Sequence, residues 1–297
     1  MFYEHPTDDE GAPAATRVDA SSGARDLWAK LGERVHYRDL LLLAAVPLVL
    51  GGVYVLPSEL KWQLALDYRQ PTLLSAFASH FVHFSGRHLL VNLLGYLLVV
   101  PTGYVLSVAS QHRQRFLVAF ASFLLSFPFV LSGLNLLFPR AAVGVGFSGI
   151  VLAFVGYLPV ALLRFLETHL HDGIRASASN WLFFFGLGFV AYMAAPGIYG
   201  PGLAAAAFLA GILFLLPLVE SLDRGHLAAL RATMSVSGYA ELALFGVLTF
   251  GAYLFVAFPA TTAVAGGVLN TYTHALGFCL GYITTHVTAL GGWLGTG

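Results

Sequence analysis

Four polar side chains sit in stretches that are otherwise apolar enough to cross a membrane. They are Ser148 in GVGFSGIVLAF, His274 in HALGFCLG, and His88 with Asn92 in RHLLVN. A serine hydroxyl is a poor nucleophile until an adjacent base takes its proton. His274 is the candidate base, being the histidine placed in a span at matching depth. Attack on an amide carbonyl creates an oxyanion, which needs donors aimed at it. His88 and Asn92 are four residues apart, so they share a helical face, and both can donate. Ser148 lies near a helix start, where backbone N–H groups are only partly satisfied, so its own N–H is a further donor. No Asp or Glu lies in these spans at that level, and the set reads as a Ser/His dyad rather than a triad. A small polar residue between membrane helices is ordinarily structural, bonding a carbonyl one turn earlier or easing close packing. What removes Ser148 from that default is the company it keeps.

The chain that must position these groups is 297 residues long, 58% hydrophobic and 10% charged. Soluble domains carry about 25% charged residues, so an all-α polytopic membrane protein is expected, with the lipid bilayer as its surroundings. Formal net charge is zero, which gives no footprint for nucleic acid. The lone Cys279 excludes an intrachain disulfide and a thiolate zinc cluster. His80, His83 and His88 lack a carboxylate or cysteine to complete a site. No metal or cofactor is therefore expected; His83 reads as a supporting hydrogen-bond partner and His80 as an interfacial residue. Residues 1–38 form a cytoplasmic N-terminal segment. Its acidic start has no signal-peptide pattern, and residues 1–20 are expected to be disordered. Leu27, Trp28, Leu31 and Val35 then mark a short amphipathic helix, either on the membrane surface or as a soluble juxtamembrane helix. Residues 39–297 form the membrane domain.

A span needs roughly 20 apolar residues. Eight stretches qualify: 40–56, 88–108, 116–138, 142–164, 181–198, 202–220, 239–259 and 265–287. The mixed segment 57–87 is expected to lie partly in the interface. With the N-terminus inside, eleven basic residues fall in the cytoplasm, from Arg17 to Arg231, and Lys61, Arg69, Arg87 and Arg140 fall outside, as the positive-inside rule favours. Both termini are then cytoplasmic. Spans two, four and eight all run inward from the outer face. At about 1.5 Å per residue, Ser148 lies roughly 9 Å and His274 roughly 13 Å below their span starts. Polar groups from three distant segments thus share one level, and such groups are costly in a bilayer unless functional.

At these residues the chain resembles the rhomboid family of intramembrane serine proteases. HFSGRHLLVN (83–92) is similar to the family's H-x4-H-x3-N motif, GFSG (146–149) to its G-x-S-G motif, and HALGFCLG (274–281) to its H-x2-G-x3-G motif. The resemblance implies a six-helix core with about two additional transmembrane helices. It implies Ser148 as nucleophile, His274 as base, and His88 with Asn92 lining the oxyanion hole. His83, Gly146, Gly149, Gly277 and Gly281 would support them, the last two by letting helices approach closely. Substrates would be single-pass transmembrane proteins cut near the outer face of the cell membrane. The chain departs from the family pattern in three places. Thr273 stands where the family has alanine, Leu152 stands where an aromatic follows the nucleophile, and no Trp-Arg pair is evident, although Tyr68-Arg69 lies in the corresponding loop. Three apolar stretches, rather than one, separate Ser148 from His274. The short loop after 239–259 makes that stretch the expected fifth core helix, with 181–220 an inserted hairpin outside the core; 181–198 is the alternative fifth helix. Two rival readings are a transporter or channel using the histidines as a proton relay, and a catalytically inactive client-binding relative.

Overall fold

The computed structural model describes residues 27, 29–138, 141–169, 176–195, 197–221, 231, 238–259, 263–264 and 267–290. The expected disorder of residues 1–20, Trp28, and several of the counted basic residues (Arg17, Arg25, Arg140, Arg175 and Arg224) lie outside them.

The described chain is a helical bundle. Its long helices are α1 (Tyr37–Tyr54), α4 (Gly86–Ala109), α5 (Arg113–Leu125), α6 (Phe127–Leu136), α7 (Ser148–His169), α8 (Asn180–Ala194), α9 (Tyr199–Ser221), α10 (Tyr239–Ala257) and α11 (Thr271–Leu290). Five of these (α1, α4, α7, α9 and α10) are long and apolar enough to cross a membrane, and α5 with α6 makes a sixth if the bent pair is one span. That composition and length make the protein an all-α polytopic membrane protein. Helix α8 is apolar but only 15 residues long. Helix α11 has 20 residues, but its threonines and histidines lower its apolarity.

The stretch 116–138, expected to be one span, is bent within its length. Helices α5 and α6 meet at a bend of 44°. Pro128 lies in the first turn of α6. It has no N–H to give, and its ring opposes the carbonyl four residues earlier.

Between α1 and α4 the chain forms two short helices, α2 (Ser58–Leu64) and α3 (Leu73–Ala78), and a two-residue strand β1 (Leu66–Asp67). Helix α3 starts at a capping box: Ser75 N–H donates to Thr72 Oγ1 at 3.0 Å and Thr72 N–H to Ser75 Oγ at 3.0 Å. Strand β1 pairs antiparallel with β2 (Val143–Gly144), Leu66 facing Gly144 and Asp67 facing Val143. A second pair, β3 (Ala263–Val264) with β4 (Gly267–Val268), precedes α11.

Helix α7 is the axis. Its residues from Gly149 to Leu163 are buried on every side, as expected of a helix that is apolar all round. Helices α4, α10 and α11 pack directly on it. Glycine sets the closest approach: a Cβ at Gly277 would lie 2.1 Å from the Gly149 carbonyl oxygen, and one at Gly281 would lie 2.2 Å from that of Ala153. Helices α8 and α9 pack chiefly on one another, with Phe184 stacked on Phe214 at 5.4 Å, while Phe183 stacks on Tyr282 of α11 at 4.0 Å. The outward face of α9 carries exposed Leu209, Leu213 and Leu216.

Of the two placements open to the short N-terminal helix, the surface one does not fit. The helix over residues 29–34 does not present its apolar face to a lipid surface. Leu27 and Leu31 are only 2% and 5% exposed and belong to the protein core. Beside it, Asp39 is buried yet paired. Arg113 donates to both its carboxylate oxygens at 2.6 Å, and Tyr104 O–H donates to Oδ2 at 2.7 Å. This joins α1, α4 and α5.

Candidate active site

Ser148 is the first residue of α7. The sequence expectation of a helix starting at 142 is corrected: residues 141–147 are not helical. Apolarity cannot separate a helix from a short extended run, and here the backbone decides. Gly146 has φ +113°, a left-handed conformation that glycine adopts at no steric cost. Its N–H donates to the Ser79 carbonyl at 3.0 Å. Tyr68 N–H donates to Ala142 O at 3.2 Å, extending the β1–β2 pairing. The segment before the serine is thus held on one side by β1 and on the other by the turn at Ser79. The N–H groups of Ile150 and Val151 both turn back to Phe147 O. Those of Ser148 and Gly149, in the first helical turn, have no carbonyl one turn earlier to meet.

His274 lies in the first turn of α11, which starts at Thr271 rather than near 265. Its Nε2 lies 2.7 Å from Ser148 Oγ. Its Nδ1 lies 2.9 Å from the carbonyl oxygen of Ala257 at the end of α10. A carbonyl only accepts, so Nδ1 carries the proton and Nε2 is left to accept from the serine hydroxyl. The ring is 4% exposed, and Phe258 meets it edge to face at 5.8 Å. Ser148 itself is half-buried, so the hydroxyl remains approachable.

His88 is brought to the same place. Its ring is the nearest group to Gly146, where an added Cβ would lie 2.6 Å from His88 Cε1. Asn92 follows one turn along α4. It is 2% exposed and donates from Nδ2 to the His88 carbonyl at 2.9 Å, while its Oδ1 has no partner. A buried side-chain amide with an unused acceptor and a second N–H has hydrogen-bonding capacity to spare. His83, expected to be a supporting hydrogen-bond partner, lies beside His88. It meets His88 edge-on at 4.8 Å, its Nδ1 faces Phe81 O at 3.3 Å, and its Nε2 has no partner. His80 is buried in the protein, its Nε2 3.1 Å from Ser132 Oγ.

The sequence reading missed a polar cluster behind the pair. Asn135 Nδ2 donates to Thr273 Oγ1 at 2.8 Å, and Asn135 Oδ1 accepts from Asn270 Nδ2 at 2.9 Å and from Thr273 Oγ1 at 3.1 Å. Asn270 Oδ1 in turn accepts the Thr273 N–H at 3.1 Å. The threonine next to the base is therefore tied to α6, and its methyl group faces Gly149. Leu152 is fully buried against α11, and the aromatic contact to the base comes from Phe258. Tyr68 is buried beneath Gly144, its hydroxyl 2.8 Å from where a Cβ would stand, whereas Arg69 is exposed. Asn135 could have been noticed as one more polar residue in an apolar stretch. Ala257 contributes a backbone atom, for which no sequence signal exists.

Comparison with known proteins gives no match: no family model, no curated protein and no solved structure is recognisably similar to the chain.

Proposed function

We propose that the protein is an intramembrane serine protease of the rhomboid type. The observation that carries this reading is the 2.7 Å approach of His274 Nε2 to Ser148 Oγ, with the opposite ring nitrogen committed to Ala257 O. That arrangement is what nucleophilic catalysis by serine needs: a base within hydrogen-bond reach, itself oriented by a third group. Here the third group is a carbonyl rather than a carboxylate.

In this mechanism His274 Nε2 takes the Ser148 proton as Oγ attacks the scissile carbonyl. The imidazolium formed is stabilised through Nδ1–H by Ala257 O. The developing oxyanion is met by the N–H groups of Ser148 and Gly149 and by His88 and Asn92. His274 then returns the proton to the leaving amine. The substrates are single-pass transmembrane proteins cut near the outer face. The chain crosses the cell membrane eight times with both termini cytoplasmic; α8 and α11 complete the count. Helix α10 serves as the fifth core helix, since it packs on α4 and α7 and carries the carbonyl that orients the base, and α8–α9 is the inserted hairpin.

The test is cleavage of a transmembrane substrate by the protein reconstituted in proteoliposomes. Ser148→Ala and His274→Ala each remove activity, and the double variant is no worse than either single one, because the pair acts as a unit. Undiminished cleavage by Ser148→Ala would refute the assignment. Transport without cleavage would favour the proton-relay alternative.

A further inference from the structure

A groove along α1 plays no part in this chemistry. Helix α1 leans on α4, where Tyr96 O–H donates to the Leu43 carbonyl at 2.7 Å, and its start is tied to α5 by the ion pair of Arg113 with Asp39. Beyond that tie a groove of about 400 Å³ separates α1 from α5. Its α1 wall runs from Leu42 to Val53 and its α5 wall from Phe120 to Leu125. Phe77 and Phe81, with ring centres 5.5 Å apart, complete it from the segment between α2 and α4. Every lining residue is apolar.

The dimensions select an occupant. From Leu42 to Val53 the wall is about 16 Å long at 1.5 Å per residue, the depth of one leaflet of a roughly 30 Å bilayer core. Apolar space of this kind does not take up water: an apolar cavity of about 150 Å³ stays dry yet admits benzene. Left unfilled, the groove forfeits dispersion contacts along both walls. A helix about 10 Å across would occupy roughly three times its volume over the same length, whereas an alkyl chain fits. The charge at one end agrees. Positions 38, 42, 45 and 49 follow one face of α1, so Arg38 stands one turn before Leu42 at the end of the groove. It is exposed, and its Nε–H donates to the Tyr37 hydroxyl at 3.3 Å. The carboxylate beside it, Asp39, is already taken by Arg113 and Tyr104. The fork of Arg38 is thus left for an anion of another molecule, and its geometry matches the oxygens of a phosphate. A cation at the mouth of an apolar slot one leaflet deep is complementary to a phospholipid.

We propose that this groove holds one acyl chain of a phospholipid whose phosphate is bound by Arg38. The proposal is independent of the proteolytic reading. The full-length protein, in an uncharged detergent, is given phosphatidylglycerol carrying a diazirine on one acyl chain. Retained lipid is counted by native mass spectrometry, and photoadducts are located by peptide mass spectrometry. Diacylglycerol of the same chain length, which lacks the phosphate, is the comparison. The wild type retains one phosphatidylglycerol, with adducts concentrated on α1 between Leu42 and Val53 and on α5 between Phe120 and Leu125. Ala45→Phe fills the groove with a ring and lowers retention of both lipids about tenfold or more, while its unchanged melting temperature shows that the fold is kept. Arg38→Gln lowers retention of phosphatidylglycerol about tenfold, as expected for loss of a charged hydrogen bond, and leaves that of diacylglycerol as it was. Equal retention in the wild type and Ala45→Phe would overturn the proposal. So would adducts as dense on exposed Leu209 and Leu213 of α9 as in the groove, which would mean general contact with lipid. A dimer whose copies meet across the groove and exclude the lipid would overturn it in favour of a second copy of the chain.

Discussion

At the scale of single residues, the candidate site is a serine and a histidine whose partners are largely backbone. The carbonyl of Ala257 does for His274 what a carboxylate does in a triad: it fixes the tautomer. It carries no formal charge, so it stabilises the imidazolium less than a carboxylate would, and Phe258 packs against the ring. The donors opposite are graded in their expected effect. Removing one oxyanion donor typically costs about 10²–10³ in rate, so Asn92→Ala and His88→Ala retain traces of cleavage where Ser148→Ala retains none. Full activity in His88→Ala would remove it from the oxyanion side. Asn135 supports the base helix from α6. Asn135→Leu leaves the half-buried Asn270 and Thr273 without their acceptor, at the roughly 0.5–1.5 kcal/mol that each hydrogen bond is worth. Equilibrium unfolding in detergent reads this as lost stability, and activity falls with it. Ser148, His274, His88 and Asn92 were legible in the sequence because polar types are rare in apolar stretches and their spacing matches helical faces. Ala257 was not legible, since every residue has a carbonyl. The link from Asn135 to Thr273 spans 138 positions and leaves no local pattern.

At the scale of elements, the site depends on how closely α7 and α11 pack. Gly277 and Gly281 face backbone carbonyls, which cannot swing aside as a side-chain tip can. Gly277→Val and Gly281→Val therefore push the helices apart and separate Ser148 from His274. Cleavage is lost in both, while Gly251→Ala on α10, where an added Cβ meets nothing within 4 Å, leaves it unchanged. Normal activity in Gly277→Val would contradict this geometry. Each apolar stretch was legible as helical, but two starts were not: α7 begins at Ser148 rather than 142 and α11 at Thr271 rather than 265. Residues 141–147 and the β3–β4 pair are as apolar as the helices they precede, and the glycine at 146 with its positive φ makes the first of them an extended approach rather than a helical turn. The bend between α5 and α6 was legible in principle from Pro128.

At the scale of the whole molecule, the meeting of Ser148 and His274 needs an odd number of spans between them, so that both helices run inward from one face. In a Cys279→Ser background, a cysteine at Gln111 labels only from the cytoplasmic side and one at Ile198 only from the outside. The chosen positions are exposed; positions 228 and 262, which would extend the test, lie outside the described residues. Labelling of both from the same side would undo the eight-span arrangement. The most direct measurement of the central claim is covalent capture of the nucleophile. The intact full-length protein, in detergent, is treated with a fluorophosphonate probe, and the adduct is located by peptide mass spectrometry. One adduct is expected, on Ser148, absent in Ser148→Ala and strongly slowed in His274→Ala. An adduct on another residue, or labelling of Ser148 at an equal rate without His274, would contradict it.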